Sequence, residues 1–140
     1  PTPSMVPTIM VGDRLYVEKL TPRFGTLKRG MIITFQAPEQ TGHEDHLVKR
    51  LIGLSGDTVE IKDGQLYVND KAVDEPYLAE PMASDYPKVT VPEGKLFVLG
   101  DNRNNSADSR LSKIGMVDER CILGRVIYRI YPFDSIGGIK

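Results

Sequence analysis

Along most of the chain, apolar side chains either alternate with polar ones or form brief unbroken runs. Each run stops at a glycine, proline, asparagine or aspartate. Alternation with a period of two marks a half-buried strand, and frequent turn residues keep such strands short. The pattern predicts strands over 14–19, 31–36, 47–54, 58–62, 65–68, 88–91, 95–99 and 123–130, rich in β-branched and aromatic residues. Helix is confined to short turns, one of them near 118–122. In 58–68 alternating apolar residues flank a central Asp63-Gly64, the strongest short hairpin signal, and a second turn follows at Asn69-Asp70-Lys71. The segment 74–87, with three prolines and several acids, reads as an irregular and mobile excursion. The fold class expected is all-β, mainly antiparallel coiled sheets with few short helices.

Length and composition narrow this further. The 140 residues suit one domain over 1–140, and 26% charged with 40% hydrophobic residues is an ordinary globular balance. Eighteen basic against nineteen acidic side chains leave a net charge of −1 with no basic run, which argues against nucleic acid as a partner. One cysteine, Cys121, excludes an intramolecular disulfide and a cysteine-rich zinc site. Beside Ile122 and Leu123 it reads as a small core residue. No apolar stretch approaches the roughly 18 residues of a membrane span. The chain opens on Pro1 rather than Met, so we expect it to continue a longer polypeptide.

Three segments carry chemistry. In Thr2-Pro3-Ser4-Met5-Val6-Pro7-Thr8 a serine sits between prolines that restrict its backbone. Alone the segment reads as a turn. As a nucleophile Ser4 needs a base and an oxyanion donor. In the strand His46-Leu47-Val48-Lys49-Arg50-Leu51-Ile52, Lys49 shares a face with Leu47 and Leu51, and Arg50 shares the other with Val48 and Ile52. Either this is an edge strand whose cations snorkel to water, or Lys49 is desolvated. A free lysine is only about 0.4% neutral at pH 8, and lowering its pKa to about 8 takes roughly 3.3 kcal/mol of disfavoured charge, which burial can supply. Such a lysine could deprotonate a serine without any histidine. The third segment, Gly100-Asp101-Asn102-Arg103-Asn104-Asn105-Ser106-Ala107-Asp108-Ser109-Arg110, is dense in short polar side chains that close turns and in arginines that pair with carboxylates. Alone it reads as a well-bonded surface loop.

Together these segments resemble the bacterial type I signal peptidases. The resemblance runs from Pro3-Ser4-Met5-Val6-Pro7-Thr8 through Gly12-Asp13 and Val17-Glu18-Lys19 to Lys49-Arg50-Leu51-Ile52-Gly53-Leu54-Ser55-Gly56-Asp57 and the Gly100–Arg110 segment, in the same order and spacing. It implies a serine endopeptidase that removes N-terminal signal peptides from exported preproteins, cutting after small residues of the Ala-x-Ala type. In that family's pattern the nucleophile falls on Ser4 and the general base on Lys49. The oxyanion hole takes the nucleophile's own N–H and a hydroxyl at Thr2, with Pro3 standing where relatives carry a small or acidic residue. Ser106 takes the place that orients the lysine. Asp108 and Arg110 resemble a supporting ionic pair, with Asp101, Arg103 and Arg50 in the same shell. Ser55 replaces a customary proline, predicting a small loss of turn rigidity and no loss of chemistry. An extended substrate suits strand addition to a sheet edge, and Met5, Met10 and Ile52 are expected to line its pockets. The resemblance further implies no cofactor, an upstream membrane anchor, action at the extracytoplasmic membrane surface, and signal peptides and the lipid bilayer surface as partners.

Other features have plainer readings. His43-Glu44-Asp45-His46 looks metal-like, but three-residue spacing on a strand sends the two imidazoles to opposite faces. His46 falls on the face away from Lys49. Tyr128 and Tyr131 suit a half-buried strand, or an aromatic edge resting on lipid headgroups. Two alternatives differ in function. A self-cleaving repressor-type Ser-Lys autoprotease would carry an internal Ala-Gly or Cys-Gly site, and the chain has neither. A catalytically silent preprotein-binding paralogue would not need both Ser4 and Lys49.

Overall fold

In the computed structural model, which describes residues 3–19, 26–36, 46–112 and 114–139, two antiparallel sheets account for nearly all regular structure. The strands are β1 (Arg14–Glu18), β2 (Ile32–Gln36), β3 (His46–Gly53), β4 (Thr58–Lys62), β5 (Gln65–Val68), β6 (Lys71–Ala72), β7 (Tyr86–Thr90), β8 (Lys95–Leu99), β9 (Val117–Asp118), β10 (Ile122–Tyr131) and β11 (Gly137–Gly138). The larger sheet runs β1-β10-β2-β3-β8-β9 with β11 added to β10, and the smaller runs β6-β5-β4-β7. Helical structure among the described residues is limited to single 3-10 turns, one of them at Glu119–Cys121 as the sequence suggests.

The β4–β5 hairpin turns at Asp63 and Gly64, both at positive φ (52° and 78°), the geometry that favours Asp-Gly between twisted strands. Asn69 and Asp70 repeat the device before β6. Beyond the expected strands lie β6, β9 and β11, each two residues long and too short to show any period.

Ile52 from β3 and Phe97 and Leu99 from β8 pack with Val59, Ile61 and Leu66, so one apolar core joins the two sheets. A second core, around Ile33, Phe35, Leu51, Leu96 and Val98, backs the middle of the larger sheet. The third, smaller one gathers Met5, Ile32 and Val126, seating the N-terminal segment on β2 and β10. Cys121, expected in the core, is exposed. It closes the 3-10 turn, and the chain turns inward only from Ile122. Tyr128 and Tyr131 are more exposed than half-buried strand residues.

The excursion 74–87 is irregular until β7 begins at Tyr86, but it is not a loose loop. Glu75 grips Arg103, Met82 is buried, and Asn104 accepts from the Ala83 N–H while donating to Glu80 and the Pro81 carbonyl.

Candidate active site

Ser4 lies in the 3-10 turn Pro3–Met5 and is only 6% exposed. Buried Met5 anchors the turn in the third core, and the Ile9 N–H donates to the Met5 carbonyl. From the far end of the chain the Asn102 N–H donates to the Ser4 carbonyl (2.7 Å), and Asn102 Nδ2 donates to the carbonyl of Pro3 (3.0 Å). The serine is therefore positioned through its backbone, independently of its hydroxyl.

Lys49, in β3 between Ile33 of β2 and the strand's own Leu47 and Leu51, is 2% exposed. Burial pushes its amine down to about 8; the Asp108 carboxylate opposes this and the Arg110 guanidinium reinforces it. Among the described residues Nζ donates to Ser106 Oγ (3.2 Å) and is tied to no carboxylate. The bond to Ser106 matches the orienting place the sequence gives that residue, and Ser4 and Lys49 line one cleft. The edge-strand alternative, with cations reaching water, is excluded by the burial of both Lys49 and Arg50.

Around this pair each buried charge has its own counter-charge. Asp108, fully buried, receives both Nε and Nη2 of Arg110 (2.8 and 2.9 Å) and the N–H of Gly100 (3.0 Å). Asp101 receives Arg50 Nε and Nη2 (2.8 and 2.7 Å) and the Thr8 hydroxyl. Arg103 Nε donates to the Gly100 carbonyl (2.8 Å), and its outer nitrogens meet Glu75 (2.9 and 2.5 Å). Among the described residues no buried side-chain polar atom lacks a hydrogen bond, so the network is fully satisfied.

Gly100 is the junction. A Cβ built there would stand 2.1 Å from Ser106 Oγ and 2.6 Å from the Ser4 carbonyl oxygen. The hydroxyl that Lys49 bonds and the serine's backbone therefore both press against this one residue. The cleft beside them has a volume of about 220 Å³ and is walled mainly by Met5, Ile9, Met10, Leu15, Leu47 and Val48. It is a mostly apolar groove with a hydroxyl and an amine.

The model of the family described as signal peptidase, peptidase S26, matches residues 1–131. The chain belongs to the signal peptidase family, peptidase S26. It is similar to signal peptidase I of Bacillus licheniformis, 43% identical over 143 residues covering 95% of this chain and 75% of that protein. The probable signal peptidase I-2 of Synechocystis is 42% identical over 140 residues, covering 98% of this chain and 63% of that one. The crystal structure of a signal peptidase I from Enterococcus faecalis superposes with a TM-score of 0.63 at 37% identity, covering 71% of this chain and 96% of its own.

Ser4, Lys49 and Ser106 are brought together, with Asp108 and Arg110 paired behind them. Of the shell formed by Asp101, Arg103 and Arg50, Asp101 pairs with Arg50 inside it, while Arg103 pairs outside it, with Glu75. Met5 and Met10 line the cleft. Ile52 does not, and this corrects the sequence reading: it lies on the strand face opposite Lys49 by alternation and packs in the core shared with the smaller sheet. Thr2 and the run His43-Glu44-Asp45 lie outside the described residues. His46 is exposed at the start of β3, at the cleft's rim.

Sequence reasoning missed Thr8, Glu75 and Tyr77. Thr8 closes the serine segment and could have been suspected from its place in it. Glu75 and Tyr77 sit in an aperiodic stretch, with only an acid and an aromatic flanking Pro76 as a signal.

Proposed function

We propose that this chain removes N-terminal signal peptides from exported preproteins as a serine endopeptidase, with Ser4 as nucleophile and neutral Lys49 as general base. The observation that carries the reading is a buried amine near pKa 8, bonded to a hydroxyl rather than a carboxylate, sharing a cleft with a buried serine. Lowering the amine from 10.5 to about 8 amounts to roughly 3 kcal/mol of differential stabilisation and leaves about half of it neutral near pH 8.

In this reading Lys49 takes the Ser4 proton as Oγ attacks the scissile carbonyl, and returns it to the leaving amine as the peptide bond breaks. Water then attacks the acyl-enzyme, again giving its proton to Lys49, and the acid product leaves as Ser4 regains a proton. Catalytic hydrogen bonds often tighten only when substrate is bound, which suits an amine resting on Ser106 before the substrate arrives. The Ser4 N–H and the Thr2 hydroxyl would receive the developing oxyanion. Met5 and Met10 would line shallow pockets for small side chains, in keeping with cleavage after Ala-x-Ala sequences. The chemistry calls for no metal or cofactor.

The site is proposed to act at the extracytoplasmic membrane surface. Met10, Val11, Tyr131, Phe133 and Ile136 are exposed, and the first two also line the cleft, so lipid contact beside the scissile bond is the partner this surface suits. No helix among the described residues is long and apolar enough to cross a membrane.

The deciding experiment replaces Ser4 and Lys49 singly by alanine and measures cleavage of a signal-peptide substrate in detergent. Each should lose at least about a thousandfold in kcat. The wild-type profile should rise through an apparent pKa of about 8, because the base is active when neutral; a limb near 6.5 would hand the role to a histidine such as His46. Retained turnover in either alanine variant would defeat the reading.

A further inference from the structure

The excursion between β6 and β7 returns two side chains to the arginines that hold the Gly100–Asn102 backbone. Glu75 and Arg103 meet through two hydrogen bonds with almost no exposure on either side. The Tyr77 hydroxyl donates to the same carboxylate (2.7 Å), and the Tyr77 ring lies 3.8 Å from the Arg50 guanidinium carbon. Arg103 in turn donates to the Gly100 carbonyl, and Arg50 holds both carboxylate oxygens of Asp101. Asp101 is followed by Asn102, whose N–H fixes the Ser4 carbonyl.

Buried ion pairs are a poor source of net stability compared with apolar packing, because desolvation offsets most of their attraction. What they supply is direction. Arg50 spends Nη1 on the Gly30 carbonyl and Nε and Nη2 on Asp101, and the Tyr77 ring covers the guanidinium face. Neither arginine can tilt without breaking a contact to the excursion.

We infer that Glu75 and Tyr77 are positioning residues for the Ser4 nucleophile, acting through Arg103 and Arg50 on the Gly100–Asn102 backbone. The inference rests on the proposed role of Ser4. It accounts for the excursion, irregular over 74–85, being pinned at its start to Arg103, 28 residues further along the chain, and to Arg50 in β3. The amine of Lys49 takes its shift chiefly from burial and then from Asp108 and Arg110; those two side chains meet the positioned backbone at the Gly100 N–H and the Arg103 carbonyl and make no hydrogen bond to Glu75 or Tyr77, so alignment should change more than base strength.

The test measures kcat, KM and the pH profile of signal-peptide cleavage, with the folded fraction and Tm of each variant. Glu75→Gln keeps the shape and removes the charge, and kcat per folded enzyme should fall about a hundredfold, the usual cost of an ångström-scale misplacement. Tyr77→Leu removes the ring and should cost about tenfold, while Tyr77→Phe keeps the ring and should recover to within about threefold of wild type. KM should stay within about twofold, and the rising limb should remain near 8, throughout. If Glu75→Gln does not fold, the Leu and Phe pair at position 77 decides. Wild-type kcat per folded molecule in Tyr77→Leu with a lowered Tm would overturn the inference by showing a merely structural role; so would a displaced limb. Ser4→Ala in the same assay separates the two ideas: an active Ser4→Ala defeats the nucleophile assignment, whereas an inactive Ser4→Ala beside a fully active Tyr77→Leu defeats only the positioning role.

Discussion

Gly100→Ala adds a single methyl at the point where the site is tightest. No left-handed backbone is required at this glycine, so the cost is purely steric. The new Cβ would lie 2.1 Å from Ser106 Oγ and 2.6 Å from the Ser4 carbonyl oxygen. The hydroxyl can rotate away, but only by abandoning Lys49 Nζ. The carbonyl is backbone, fixed by the Asn102 N–H, and must retreat by roughly 0.8 Å to reach the 3.4 Å of ordinary contact, a displacement of the order that costs about a hundredfold in rate at a reacting centre. Overpacking of this kind costs about 1–3 kcal/mol, or a Tm loss of about 3–10 °C. The variant should therefore remain folded at 25 °C and cleave a signal-peptide substrate about a hundredfold more slowly, the loss falling on kcat. Circular dichroism melts establish the folded fraction, and steady-state kinetics in detergent give kcat and KM. A kcat within about threefold of wild type, in a protein with the expected drop in Tm, would refute the claim that contact between Gly100 and the Ser4 backbone sets the nucleophile.

Three other outcomes follow from the same geometry. Arg110→Met removes a cation that lowers Lys49 and leaves Asp108, which raises it, without its counter-charge, so the rising limb of the rate profile should move to higher pH; an unchanged or lowered limb contradicts the assignment. Asp57 is held at about 2, chiefly by hydrogen bonds from Arg29 and further by Asn69 and the Leu54 N–H. Because its folded value lies below its unfolded one, this stabilisation is complete above about pH 4 and disappears as pH falls towards 2. Arg29 is half exposed, so Asp57→Asn should cost only about 1 kcal/mol at pH 7 by urea unfolding, and the gap should close near pH 2; a gap independent of pH would count against it. Phe133, 78% exposed, should contribute to contact with lipid, so Phe133→Ser should weaken sedimentation with phospholipid vesicles while leaving cleavage of a short soluble peptide unaltered; equal vesicle binding would remove this residue from the lipid-facing surface.

The strands were legible because a two-residue period survives wherever one face is buried, and because Asp63-Gly64 and Asn69-Asp70 supply the positive φ that their turns need. Lys49 was legible as a cation set between apolar neighbours on a strand, and Ser106 only through what the family resemblance implies. Ile52 was misplaced because strand alternation, which already set it on the face opposite Lys49, was not applied to the pocket; it packs in the core shared with the smaller sheet. Cys121 was misplaced because apolar neighbours in sequence say nothing about a 3-10 turn that ends between them. The pairing of Glu75 with Arg103 left no trace in any period: both partners lie in irregular backbone, and only the tertiary fold decides which arginine meets which acid.

The serine and lysine lie within the first fifty residues of the chain, while Asn102, Ser106 and Asp108, which hold or surround them, come after residue 100. During synthesis the serine and lysine therefore leave the ribosome before the residues that hold or surround them. A polypeptide ending before about residue 100 would hold Ser4 and Lys49 without Asn102, Ser106 and Asp108, so the site is completed only when the later segment folds against the earlier one.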